Sequence, residues 1–297
     1  MTISQALQEY LIDHQIKGNS PNTVRYYQKN IGAFMAFTSD IPVSSIDYAM
    51  LKAYYLHLTS RAITSITVQT YIRAVRAFLT WCYNEEYISV NLSVKFRLPK
   101  ATRKAIDVLT DTEIDRLLSC FDTKTVIGLR NLCMCLLMLD SGLRMNEVVT
   151  LKLANLHLAE GYIIVSGKGN KERFVPIGLN TRKQLMKYLI YRPNTEEETA
   201  LFVKDQLCRV ECTTIRQLFK RLKIKTGIER LKPHLLRHTF ATRYLEHGGD
   251  LYSLQSILGH TTLEMVKRYI HTTPRKMAVT FCNYSPVDNL KEKPLKP

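Results

Sequence analysis

Toward the C-terminal end of the chain, His234-Leu235-Leu236-Arg237-His238-Thr239-Phe240-Ala241-Thr242 is followed by Leu258-Gly259-His260 and then by Tyr269-Ile270-His271. These residue types suit attack on a phosphodiester. A guanidinium grips phosphate oxygens with a planar fork of donors, an imidazole moves protons near neutral pH, and a phenol can become a covalent phosphoester. Two more cations lie upstream, Arg144 after Ser141-Gly142-Leu143 and Lys168 between Gly167 and Gly169. Asp140-Ser141-Gly142 reads as the end of a helix with a left-handed glycine, so Arg144 falls in the first turn of the next one. A cation at a positive helix end is unfavourable by a few tenths of a kcal/mol unless an anion meets it. The plainer alternative is a surface arginine paired with Glu147.

Other chemistries fit less well. His234 and His238 have the spacing of a zinc-protease helix, but Leu235 stands where the catalytic glutamate would be, so no metal site is expected. Lys168 in its Gly-Lys-Gly turn lacks the surrounding pattern of a nucleotide-binding loop. Tyr269 is one of 16 tyrosines, and only its neighbours single it out.

The elements that must position these groups are mostly helical. Ser20-Pro21 predicts a helix start, followed by Val24, Tyr27, Ile31, Phe34 and Met35 at helical spacing. A second helix is expected from Asp47 to Thr59 and a third over Thr64 to Tyr87. In the third, Val68, Ile72, Val75, Leu79 and Cys82 form an apolar stripe. Its other face carries Gln69, Arg73, Arg76 and Thr80, either a ridge for DNA contact or an ordinary solvated face. Thr110 and Glu113 form a capping box, and the apolar run from Leu132 to Leu139 reads as a buried helix. Gly161 to Ser166 and Lys171 to Pro176 flank a glycine-rich turn as a β-hairpin with Lys168 at its tip. Lys232-Pro233 starts the helix bearing His234 and Arg237. Asp250 caps a short helix that Gly259 ends, and Thr261 with Glu264 predicts a capping box opening a helix that carries Tyr269.

Composition narrows the partner. The 297 residues carry a formal net charge of +16, and 45% are hydrophobic, enough for two ordinary cores. Such a positive surface favours nucleic acid or an anionic membrane. The longest apolar run is far short of the ~20 residues that span a bilayer, and the N-terminus lacks a secretory pattern, so a cytoplasmic protein is expected. Seven scattered cysteines without a CxxC pair predict neither disulfides nor zinc. Between Ser93 and Asp107, Lys95, Arg97, Lys100, Arg103 and Lys104 lie in a stretch with no periodicity, a basic strap able to neutralise phosphates. The expected division is residues 1–95, a linker at 96–106, a second domain at 107–285 and a tail at 286–297.

The succession Gly142-Leu143-Arg144-Met145-Asn146-Glu147, Gly167-Lys168-Gly169, Arg173-Phe174-Val175-Pro176, His234 through Thr242, Leu258-Gly259-His260 and Tyr269-Ile270-His271 resembles the tyrosine site-specific recombinases, or phage-integrase family. The region around Ser20-Pro21-Asn22-Thr23, Tyr26 and Tyr27 is similar to that family's core-DNA-binding domain. The resemblance implies a mainly α protein with a small antiparallel β-sheet. A helical N-terminal DNA-binding domain and a mostly helical catalytic domain would form a C-shaped clamp on DNA. It implies Tyr269 as nucleophile, Arg144, Arg237 and His260 on the phosphate, Lys168 as general acid, His234 as proton acceptor or buffer near Tyr269, and Glu147 in support. No cofactor is implied. The implied partners are a double-stranded DNA core site and further copies of the chain, a tetramer in the synapse joined through the segment Pro274 to Tyr284. Accessory DNA-bending or directionality proteins fit the same scheme. A type IB topoisomerase and a catalytically silent DNA-binding factor are the alternatives.

Overall fold

The computed structural model describes residues 1–98, 107–167, 172–193, 199–204 and 208–269. The chain divides into two compact units, Met1–Lys104 and Ala105–Pro297.

The first unit holds four helices, α1 (Ile3–Ile16), α2 (Pro21–Thr38), α3 (Tyr48–Ser60) and α4 (Ser65–Asn84). Ser20, Asp47 and Thr64 cap the last three, each side chain accepting a backbone N–H one turn on. The helix α1 comes in addition, opened by a Thr2/Gln5 capping box. The stripe Val68, Ile72, Val75, Leu79 and Cys82 is buried in a core shared with Ile31, Phe34, Leu51 and Tyr54. Phe96 is buried in that same core, so the beginning of the basic stretch is folded onto this unit.

The opposite face of α4 is divided. Arg73 is exposed and donates to Gln69 at 3.0 Å. Arg76 donates through Nε to the Ser93 carbonyl at 3.1 Å, and Thr80 donates to the Ser93 hydroxyl at 2.8 Å. Arg76 and Thr80 thus tie the helix to the loop after it, a structural task for two members of the expected DNA-facing ridge.

In the second unit, α5 (Asp111–Ser119) begins at the Thr110/Glu113 capping box. The next helix, α6 (Val126–Asp140), is apolar almost all round and is the central member, with α7 (Met145–Thr150), α8 (Leu179–Tyr191) and α10 (Pro233–Glu246) packed on it. The expected hairpin is β2 (Tyr162–Ser166) and β3 (Glu172–Pro176), antiparallel with Ile164 opposite Phe174 and Ser166 opposite Glu172. A two-residue strand, β1 (Leu156–His157), completes a three-stranded sheet in the order β1-β2-β3. The remaining helices are α9 (Cys212–Thr226), α11 (Leu251–Leu258) and α12 (Glu264–Lys267), with β3 and α10 both against α11.

Two local details set the site. Gly142 ends α6 at φ +64°, and a Cβ there would lie 2.4 Å from Phe240 Cδ1 and 2.9 Å from Leu258 Cδ2. Gly142→Ala combines a left-handed backbone with that overlap, for an expected destabilisation of about 2–4 kcal/mol. The shift of the urea midpoint at constant m-value measures it. The second detail corrects the sequence expectation at α12. No side chain caps this helix, Leu263 occupies the cap position, and Tyr269 lies in the turn after the helix, its N–H bonded to the Val266 carbonyl at 2.9 Å. The tight turn faces Val266 and Tyr269 inward together, against Ala241, Leu254 and Leu258. That burial outweighs the Thr261/Glu264 capping pattern.

Candidate active site

Arg144 is the N-cap residue of α7, and the helix brings Glu147 back beneath it. Glu147 accepts the Arg144 backbone N–H at 2.8 Å and Arg144 Nη1 at 2.9 Å. On its other side the same carboxylate takes a fork from Arg173 on β3, both bonds at 2.9 Å. Arg173 also donates through Nε to the Ile257 carbonyl at 2.7 Å, near the end of α11. Burial alone would raise the Glu147 pKa, but Arg173 and then Arg144 hold it below the usual carboxylate value. The pairing of Arg144 with Glu147 read from the sequence is present, but the carboxylate is buried and shared, and the Arg144 side chain remains 34% exposed.

Arg173 received no role from the sequence, although it was part of the motif. It fastens β3 to both Glu147 and α11. Removing it leaves a buried carboxylate half-paired, which costs about 3–5 kcal/mol for a pair broken on one side. Arg173→Met is expected to lose that much in chemical denaturation and to slow the reaction, because the Arg144 support moves with it.

Arg237, in the second turn of α10, is 4% exposed and built into the protein on one side. Its Nη1 donates to the Gly142 carbonyl, and its Nη2 donates to the Leu258 carbonyl at 2.8 Å and to His260 Nε2 at 3.0 Å. Those carbonyls lie exposed for bonding because α6 and α11 both end there, each at a left-handed glycine, Gly142 and Gly259. Burial, then the neighbouring Arg144, pulls the Arg237 pKa down to about 10, so the group stays charged at neutral pH. Burial and the fields of Arg237 and Arg144 likewise lower His260 to about 4. With its Nε2 accepting from Arg237, the neutral ring carries its proton on Nδ1, which is buried and has no partner in the described structure. Donation to a phosphate from Nε2 therefore requires His260 to release Arg237 and change tautomer.

Three guanidiniums, Arg144, Arg173 and Arg237, act on one another with a single carboxylate, Glu147, among them. Such an excess of positive charge is costly for folding alone and is of the kind that an anion offsets.

Tyr269 is 5% exposed in the satellite core formed with Ala241, Leu254, Leu258 and Val266. Its hydroxyl forms a hydrogen bond with His238 Nδ1 at 2.9 Å. This corrects the sequence expectation, which placed His234 beside the tyrosine and left His238 without a role. His234 is exposed one turn earlier, its ring centroid 6.5 Å from that of His238. The neighbouring guanidiniums by themselves favour the phenolate. Burial raises the Tyr269 pKa by more than Arg237, Arg268 and Arg144 lower it, so the phenol is protonated at rest.

Lys168 lies outside the described residues, as do Lys100, Arg103 and Lys104. Lys95 and Arg97 are exposed on the first unit. Among the described residues no group of three His, Cys, Asp or Glu side chains converges as for a metal ion, and no helix is long and apolar enough to cross a membrane. Six cysteines, Cys82, Cys120, Cys133, Cys135, Cys208 and Cys212, are free thiols.

Residues 107–276 match the phage integrase family model, and residues 4–98 match the phage integrase SAM-like domain. The chain belongs to the phage integrase family. This tyrosine recombinase is 30% identical over 281 residues to tyrosine recombinase XerD of Oceanobacillus iheyensis, covering 91% of this chain and 94% of the relative. It is also 30% identical over 289 residues to XerD of Staphylococcus epidermidis, covering 94% and 98%. Among solved structures, the Tn1549 transposon integrase in complex with a circular intermediate DNA shares the fold of the integrase described here. The TM-score is 0.79 at 19% identity, covering 96% of this chain and 100% of the other. Recombinase membership accounts for the order of the motifs, and the topoisomerase and silent-factor alternatives are not favoured.

Proposed function

We propose that this recombinase cleaves and rejoins DNA through a 3′-phosphotyrosine at Tyr269, with Arg144 and Arg237 on the non-bridging phosphate oxygens. The observation that carries this reading is the cluster of guanidiniums around Glu147, with the Tyr269 phenol close enough to be influenced by two of them, Arg237 and Arg144. Exchanging one phosphodiester for another conserves the bond energy, so rejoining requires no nucleotide. The negative charge of the pentacovalent phosphate falls where these guanidiniums concentrate positive potential. His260 donates to the phosphate once DNA displaces it from Arg237, and Glu147 supports Arg144. Lys168 is assigned to protonate the departing 5′-oxygen, and exposed His234 serves as a proton buffer at the edge of the site.

In the same reading the partner is a double-stranded DNA core site. The first unit is a core-DNA-binding domain over residues 1–95, joined by a basic linker at 96–106 to a catalytic domain at 107–285. Of the cations expected on the DNA, Arg73, Lys95 and Arg97 are described and exposed. Copies of the chain assemble as a tetramer in the synapse through residues 274–284, as an enzyme of a bacterial or mobile-element cytoplasm. The DNA complexes of the Tn1549 integrase, and of a lambda integrase dimer bound to a core site, support DNA as the partner.

The test is a suicide substrate carrying the enzyme's core site, incubated with excess chelator. Covalent protein–DNA adduct is expected to form at the same rate with and without chelator. Strict dependence on added magnesium overturns the metal-free mechanism.

A further inference from the structure

We propose that His238 is the base that takes the phenolic proton of Tyr269 when this tyrosine attacks the phosphodiester. The proposal rests on the reading of Tyr269 as the nucleophile. It starts from the 2.9 Å hydrogen bond between Tyr269 Oη and His238 Nδ1. The tyrosine is almost fully enclosed by Ala241, Leu254, Leu258 and Val266, which leaves bulk water poorly placed to act as acceptor. His234 is exposed, and its ring lies against that of His238.

The direction of His238 is fixed by its neighbours in sequence. Arg237 is pinned by the Gly142 and Leu258 carbonyls and by His260. Thr239 is fully buried, donating to the Leu235 carbonyl and accepting the Leu109 N–H at 2.9 Å. With residues on both sides locked, α10 cannot rotate, and the side chain between them, offset by about 100° from each, points at the turn carrying Tyr269. The contact is thus a consequence of the same anchoring that positions the phosphate-gripping arginine.

The groups facing His238 make it responsive to DNA. Burial comes first, then His234 on the same helix, Arg268 beside Tyr269, Lys232 at the helix cap and Arg237, and together they pull its pKa down to about 4. The ring is neutral at physiological pH, and in the tautomer protonated on Nε2 its Nδ1 accepts the phenolic hydrogen bond. It is also too weak a base to ionise the buried phenol at rest. A phosphodiester placed among these cations offsets their field, raises the basicity of His238 and brings the electrophile at the same moment. In the step itself, a bond forms between Tyr269 Oη and phosphorus while the phenolic O–H bond breaks and its proton passes to His238 Nδ1. The bond from phosphorus to the 5′-oxygen breaks, its electron pair leaving on that oxygen, which takes a proton from the acid assigned above to Lys168. Rejoining runs the same transfers in reverse.

The experiment is single-turnover cleavage of a suicide substrate by the full chain across pH 5 to 9, with DNA affinity measured alongside. His238→Ala is expected to cleave roughly 10²- to 10⁴-fold more slowly with DNA affinity retained. Added imidazole is expected to restore part of the rate, with a rescue that grows as the free base replaces imidazolium. His238→Asn keeps an acceptor near the Nδ1 position but cannot carry the proton, and is expected to remain slow. A His238→Ala rate within threefold of wild type, a His238→Asn variant at full rate, or an absence of imidazole rescue in a folded, DNA-binding variant overturns the proposal. If the wild-type protein forms no adduct at Tyr269, the underlying nucleophile assignment fails instead, and is distinguished by that result.

Discussion

Tyr269→Phe is expected to abolish the covalent protein–DNA adduct, a loss of at least ~10⁴-fold in cleavage, because no other group takes over a missing nucleophile. The effect on the fold is small by comparison. The ring stays in its pocket against Ala241, Leu254, Leu258 and Val266, and only the bond from the hydroxyl to His238 is lost. A single neutral hydrogen bond contributes about 1 kcal/mol, and the half-buried His238 retains access to solvent on one side. The variant should therefore bind the core site with unchanged affinity and melt close to wild type. The measurement is a denaturing gel of suicide-substrate reactions beside a gel-shift titration, and adduct surviving in the phenylalanine variant removes Tyr269 from the mechanism.

Arg237→Lys is expected to damage both chemistry and fold, which separates it from the tyrosine variant. One ammonium cannot serve the Gly142 carbonyl, the Leu258 carbonyl and His260 Nε2 and still offer a planar fork to phosphate. Each buried acceptor left without a donor costs about 1–3 kcal/mol. Loss of a preorganised donor to the developing oxyanion costs about 10²- to 10³-fold in rate. Chemical denaturation reads the first effect and single-turnover cleavage the second. Near-normal cleavage counts against the phosphate clamp, whereas a stable but inactive variant counts against the structural half of the argument. Because Arg237 and Gly142 share a hydrogen bond, Gly142→Ala and Arg237→Lys should not be additive.

The helices of the first unit were legible because their signals are local. Ser20, Asp47 and Thr64 cap the elements they precede, and the stripe from Val68 to Cys82 is buried at helical period. The hairpin was equally plain from its β-branched flanks and glycines, whereas β1 is only two residues long and too short to carry a period. At α12 the local signal was overruled: a capping pattern at Thr261 gave way to the burial of Val266 and Tyr269. The ridge on α4 shows the same limit, since nothing local to Arg76 announces that Ser93, seventeen positions later, will take its donor.

For the site, residue types and their order were enough to propose a phosphate-attacking set and to identify the family. Which side chain serves which was decided by tertiary contact. Arg173 reaches Glu147 across 26 positions, Arg237 reaches Gly142 across 95, and His238 reaches Tyr269 across 31. These pairings depend on which helix face turns inward and where two helix ends expose their carbonyls, properties of packing that no spacing encodes. The protonation of Tyr269 has the same origin: the arginines nearby are written in the sequence, but the burial that outweighs them exists only in the fold.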